Sequence, residues 1–138
     1  MRSVYDAIKA MVSLRPIAAS AASAGIGVDT KGFNSAMAII ENGAATGTPT
    51  SYTVDAKVQE CDTNSGTAGD WADVTGATMT QITADAKSGI IRIEGLGTSR
   101  KRFLKVVVTP DITGGTTPKC LVTASILLGN AYQEPVNA

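Results

Sequence analysis

Four oxygen-bearing side chains, Asp62, Asn64, Asp70 and Asp73, lie close together in the stretch "KVQECDTNSGTAGDWADV", residues 57–74. Hard cations such as Ca²⁺ want several oxygen ligands at once, so a calcium loop is one chemistry to weigh here. The spacing departs from an EF-hand loop. Counting from Asp62, the glycine needed at the sixth position falls at the fifth, Gly66, and no glutamate closes the loop. Asp, Asn, Ser, Thr and Gly are equally the residues of tight connections, which fits a strand, a loop and a second strand. Trp71, the single tryptophan, has two readings: a ring exposed to stack on a sugar, or a large plug at the start of a strand. Sugar platforms present several aromatics in one plane, and this chain is only 4% aromatic.

The remaining reactive groups are few. No histidine is present, which removes the commonest general base and metal ligand and every Ser-His or Cys-His nucleophile pair. Cys61 and Cys120 are too few for a zinc site or a disulfide-rich scaffold and are expected as two buried thiols, with a single bridge as the alternative. Asp70 and Asp73 lie on or near a turn without a partner nucleophile or a glycine-rich phosphate cradle, so no enzyme and no cofactor is expected. The cluster Arg100-Lys101-Arg102 offers charge for phosphate or an acidic protein surface, or else a solvated turn that keeps a strand edge from sticking to its neighbours.

The elements that must carry these groups follow from length and pattern. At 138 residues the chain suits one core, and with 43% hydrophobic residues that core is built from aliphatic side chains. Twelve Lys and Arg against twelve Asp and Glu leave no bulk field to attract nucleic acid or an anionic membrane. No apolar run reaches the ~18 residues of a membrane span. Met1-Arg2 and the small residues 18–24 imitate a secretion signal, but Asp6, Lys9 and Arg15 interrupt its apolar stretch, so synthesis in the cytoplasm is expected.

Ser3 and Asp6 have a capping spacing, and Val4, Ile8 and Met11 recur at helical intervals before Arg15-Pro16. This predicts a short amphipathic helix, then an extended arm, over residues 1–24. A helix that short needs a surface to lie on, so Val4, Ile8, Met11, Leu14 and Arg15 are candidate partner contacts. Residues 25–138 read as strands. Tyr52, Val54, Ala56 and Val58 alternate with Ser51, Thr53, Asp55, Lys57 and Gln59. Ile91 and Ile93 alternate with Arg92 and Glu94, and Leu104, Val106 and Val108 with Phe103, Lys105, Val107 and Thr109. Cys120, Val122, Ala124, Ile126 and Leu128 make the inner face of the last strand. For the first strand the larger residues Phe33, Met37 and Ile39 are read as inner, against Asn34, Ala36 and Ala38. Glycine- and proline-rich breaks between them predict an all-β, antiparallel β-sandwich of seven to eight strands.

In order, "IKAMVSLRPIAAS", "VDTKGFNSAMAIIENG", "YTVDAKVQECD", "WADV", "SRKRFLKVVVT" and "ASILLGNAYQEPV" resemble a family of small structural proteins encoded among the head genes of tailed bacteriophages. The resemblance covers nearly the whole chain. Cys61 departs from the small polar residue usual before Asp62, and the loop around Gly66 is longer than the usual "DDG". The resemblance implies a virion component, a decoration or cement protein on the outer capsid surface. Its partner would be the major capsid protein, with trimers as one form of self-association. Candidate contacts with that partner are Val4, Ile8, Met11, Leu14 and Arg15 together with Arg100, Lys101 and Arg102. A tail or head-to-tail connector position, or a carbohydrate-binding module for host adsorption, are the alternatives.

Overall fold

The computed structural model describes residues 3–133 and 136. Met1 and Arg2 of the basic start, and Glu134 and Pro135 of the closing motif, lie outside the described residues. A single helical turn, α1 (Val4–Ala7), is followed by β1 (Lys9–Ala19), β2 (Ser23–Ala24), β3 (Val28–Asp29), β4 (Phe33–Asn42), β5 (Ser51–Cys61), β6 (Ala72–Thr78), β7 (Ser88–Glu94), β8 (Phe103–Thr113) and β9 (Cys120–Ala131). They form two antiparallel sheets, one in the order β1-β9-β4-β7 and the other β2-β8-β5-β6, with β3 also pairing with β8. The fold is the expected antiparallel sandwich. The described residues hold nine strands, more than expected, because β1 takes the place of the expected arm and β2 and β3 are two-residue pieces that no periodicity marks.

The alternation read from the sequence places most of the core. Val54, Ala56 and Val58 of β5, Leu104, Val106 and Val108 of β8, Ile91 and Ile93 of β7, and Cys120, Val122, Ala124, Ile126 and Leu128 of β9 all point between the sheets and are buried. Two readings need correction. Ser3 does cap α1, accepting the Asp6 N–H at 3.2 Å, but the helix ends at Ala7. Residues 9–19 are an edge strand of the first sheet instead of the rest of a helix and an arm. Register shifts between Val12 and Leu14 and between Leu14 and Ile17 break the two-residue period and counterfeit a helical one. Pro16 is tolerated because the strand is an edge.

The second correction concerns β4. Phe33 is buried in the core as read, but beyond it Ala36, Ala38 and Ile40 face the core and Met37 and Ile39 face outward, the reverse of the reading by size. Two sheets about 10 Å apart leave limited volume between them. The branched residues of β7, β8 and β9 fill that space, so β4 adds mostly alanine to it.

One crossing ties the layers. At the β1 irregularity the buried Ser13 Oγ accepts the Val106 N–H at 3.0 Å and donates to the Ile26 carbonyl at 3.0 Å, while Ile26 N–H donates to the Ser13 carbonyl at 2.7 Å. Gly25 makes this approach possible, since a Cβ there would lie 2.6 Å from the Ser13 carbonyl.

Candidate interaction surface

With β4 facing the way it does, the middle of the outer surface of the first sheet is largely apolar, and all four strands contribute to it. Pairing sets two adjacent rows: Arg92, Met37, Leu127 and Ala10 in one, Ile90, Ile39, Ser125 and Val12 in the next. Ile90 is 58% exposed and Val12 48%, while Met37, Ile39 and Leu127 are half-buried by one another. Leu121, 42% exposed, extends the belt along β9. Glu41 and Ser88 bound it at one end, and Arg92 and Glu94, paired at 2.7 Å, at the other. A cavity of about 310 Å³ opens on this face, lined by Ile8, Met37, Ile90 and Leu127 with Arg92 and Glu94 at its rim.

The outer face of the second sheet is polar. Ser51, Thr53, Asp55, Lys57 and Gln59 stand opposite Thr113, Asp111, Thr109, Val107 and Lys105. Its charges are tied to one another: Lys57 Nζ and Gln59 Nε2 reach Asp73 at 2.9 and 2.7 Å, and Gln81 donates to Asp55 at 2.7 Å. The Gln59 and Lys57 bonds hold the Asp73 carboxyl below its ordinary range.

The candidate contacts from the N-terminal segment do not form one stripe. Val4 on α1 is exposed, Ile8 lines the apolar cavity, Met11 packs on the core from its margin, Leu14 is buried within it, and Arg15 is exposed at the β1 irregularity. Of the five, only Ile8 belongs to the apolar cavity. Met37 and Ile39 were read from the sequence as core and Ile90 and Leu127 were not singled out, although the unbroken runs "AMAII" and "SILL" carry apolar residues at both parities and so signal a strand apolar on both faces.

Arg100, Lys101 and Arg102 each meet a carboxylate of the same chain. Arg100 lies 3.6 Å from the buried Glu60, which also accepts the Lys101 N–H at 3.0 Å; Lys101 Nζ is 3.8 Å from Asp62. Arg102 grips Asp29 with two bonds of 2.9 and 2.7 Å and lies over the Phe103 ring. That bidentate bond holds the Asp29 carboxyl down to about 2 and pushes Arg102 up. The cluster fastens the start of β8 to β3 and to the end of β5.

Trp71 is buried just before β6, as the plug reading expects, but it and Cys61 lie apart from the main core. Both belong to the outer side of the polar sheet, where the 62–71 loop folds over them. The Lys105 ammonium sits 4.4 Å from the centre of the Trp71 ring, and the indole N–H donates to the Ser65 carbonyl at 2.7 Å. A ring covered in this way is closed to a sugar, which removes the feature on which the carbohydrate alternative stood. The oxygen side chains of the loop go to separate partners: Asp62 to Lys101, Asp70 to Ser65, Asp73 to Lys57 and Gln59. Cys61 and Cys120 are free and buried. Backbone bonds near Thr63 and Ser65 lower the Cys61 thiol, and burial raises Cys120.

No protein-family description and no curated protein matches the chain. Among solved structures it is similar to the SPBc2 prophage-derived protein YomS, at 13% identity and a TM-score of 0.43 over 93% of this chain and 96% of that one. It is also similar to a virus, Desmodium yellow mottle tymovirus, at 10% identity and a TM-score of 0.33 over 96% and 93%. A family two carbohydrate esterase from Cellvibrio japonicus overlaps 91% of this chain at 11% identity and a TM-score of 0.35, and the chain spans 32% of that enzyme. None of these overlaps bears on activity or partner.

Proposed function

We propose that the chain is a bacteriophage virion structural protein that decorates the head, with the apolar face of the β1-β9-β4-β7 sheet laid on the shell and the polar sheet turned to water. The observation that carries this reading is the belt of Met37, Ile39, Ile90, Leu127 and Val12, contiguous across one sheet while the outer face of the other sheet is polar. Exposed apolar patches of this kind mark interaction surfaces. The resemblance of the ordered sequence motifs to phage head proteins supplies the nature of the partner.

The size of the face sets the mode of binding. Four strands at about 4.8 Å spacing and about seven residues at about 3.3 Å each give on the order of 400 Å². One partner of a standard interface buries roughly 800 Å². A single contact through this face is therefore weak, and a symmetric shell that offers many equivalent sites compensates by multiplicity.

Purified protein added to expanded shells that lack it is expected to co-sediment with them and to raise their resistance to heat or chelator. Shells that gain neither bound protein nor resistance would overturn the decoration reading. Immunogold label confined to tails would move the same fold to the tail or connector.

A further inference from the structure

A sandwich of two open sheets has four lateral edges, and three of these are blunted. β1 carries Pro16 and two register shifts. β6 carries a register shift against β5 and Gly76 at a φ of 78°. β2 and β3 pair for two residues each, with 25–27 between them. Short, bulged or proline-bearing edges are how sandwiches avoid pairing with other chains. β7 has none of these devices: Ser88 to Glu94 pair with β4 over seven consecutive residues without a shift, and Ile90, Ile91 and Ile93 favour extended backbone.

The edge offers alternate backbone groups to its open side. Asn42 N–H donates to the Lys87 carbonyl at 3.0 Å, and antiparallel bonds alternate along a pair. Lys87, Gly89, Ile91 and Ile93 therefore turn their peptide groups to β4, and Ser88, Ile90, Arg92 and Glu94 turn theirs to the open side. Beside the first part of this strand lies a cavity of about 440 Å³, lined by residues 80–84 and 87–90.

We infer that β7 pairs antiparallel with β7 of a second copy of this chain about a two-fold axis at Ile91. This register matches open groups with open groups, Ile90 with Arg92 and Ser88 with Glu94, each pair made twice. No two like charges stand directly opposite one another; the two Ile90 side chains, and the two Arg92 side chains, each held by Glu94 of its own chain at 2.7 Å, lie diagonally across the axis. A two-fold contact uses the same patch on both copies, as this one does. Paired in this way, the two apolar faces run together into one eight-stranded surface on the order of 800 Å², the size one partner of a standard interface buries. The pair is two-fold, unlike the trimer implied by the family resemblance, and its formation does not require that the chain bind a shell.

Sedimentation of the full chain at about 100 μM, where a Kd of about 10 μM or tighter leaves most chains paired, is expected to give twice the 14.1 kDa chain mass. Ile90→Lys, at an exposed position, and Ile90→Pro, at a residue whose N–H β4 does not use, should each return single chains with the circular dichroism of the parent. Hydrogen exchange gives the sharper signature. The amides of Ser88, Ile90, Arg92 and Glu94 should exchange slowly in concentrated solution and at least ten times faster on dilution, while those of Gly89, Ile91 and Ile93 stay slow in both. A parent of single-chain mass at about 100 μM, an assembly that survives both substitutions, or exchange at the four alternate amides that ignores dilution would each overturn the inference.

Discussion

Along β5 the outward residues are Ser51, Thr53, Asp55, Lys57 and Gln59; along β4 they are Ser35, Met37, Ile39 and Glu41. Both strands sit inside their sheets, flanked by a strand on each side, and both bury their other face in the same core. What differs is what the outer face is prepared to meet. On the β5 side cations and amides are spent on neighbouring carboxylates, which leaves a surface that water solvates well. On the β4 side the side chains have only one another and the medium. A protein built only for stability would gain nothing from the second arrangement, and it is on this contrast that the proposed contact through that sheet rests.

The largest expected effect on association tests that contrast directly. Met37→Asp or Leu127→Asp places a charge in the middle of the apolar belt at positions only half-buried. Association with expanded shells should fall at least about 30-fold, the loss of a hot-spot residue worth about 2 kcal/mol. Asp55→Ala and Lys57→Ala on the opposite face should leave association within about two-fold, as surface pairs of this kind contribute little. Equal losses from both faces, measured by co-sedimentation, would break the comparison.

The polar sheet has a second character at one end, where Trp71 and Cys61 are each buried outside the main core. Trp71→Ala should cost about 3 kcal/mol in urea unfolding, the low end for removing a large buried ring. It should also open Cys61 to thiol reagents, whose reaction is aided by backbone bonds that lower its pKa. A cost under about 1 kcal/mol would show the ring to be dispensable and the polar face to be polar throughout.

These two regions also show what the sequence discloses. β5, β7, β8 and β9 are legible because their outward residues are polar or their inward ones branched, so period and polarity agree. β4 is read backwards because both of its faces are apolar and size is then the only guide; the core prefers the smaller set for reasons of volume that lie in other strands. β1 is hidden by its own irregularities, which put Ser13 and Leu14 side by side in the interior. The apolar face is a sum over β1, β4, β7 and β9, and no single segment announces it. The pairing of Arg100, Lys101 and Arg102 with Glu60, Asp62 and Asp29 is equally a product of register, since the carboxylates lie some 40 or 70 residues away.

Smaller effects come from the polar contacts that stitch the sheets. Tyr52 of β5 donates its hydroxyl to Asp85, accepts from Asn42 of β4 at 3.3 Å, and so joins the two layers. Burial and the Asp85 charge push the phenol from 10.0 up to about 12. A raised folded value means that this contribution is complete below pH 10 and is lost as pH climbs from 10.0 to about 12. Tyr52→Phe should cost about 1 kcal/mol at neutral pH, the worth of one such bond. The variant should also lose this part of the alkaline slope in unfolding midpoints taken across that window. An unchanged slope would assign the alkaline limb to other groups.

The smallest effect belongs to the clasp between Asp29 and Arg102, half-exposed on both sides. The guanidinium holds the carboxyl from 3.8 down to about 2, so the folded state binds this proton less readily than the unfolded one. The clasp's contribution is present above the unfolded value and disappears as pH falls from 3.8 towards about 2. Solvent screens the pair, so Asp29→Asn should cost less than about 1 kcal/mol at neutral pH, and the difference from the parent should vanish near pH 2. Because the clasp fixes β3 to β8 on the polar sheet, the same variant should leave shell association through the apolar face untouched. A drop in association as large as that of Leu127→Asp would show that the β3 end of the polar sheet is part of the contact, and would redraw the division between the two faces.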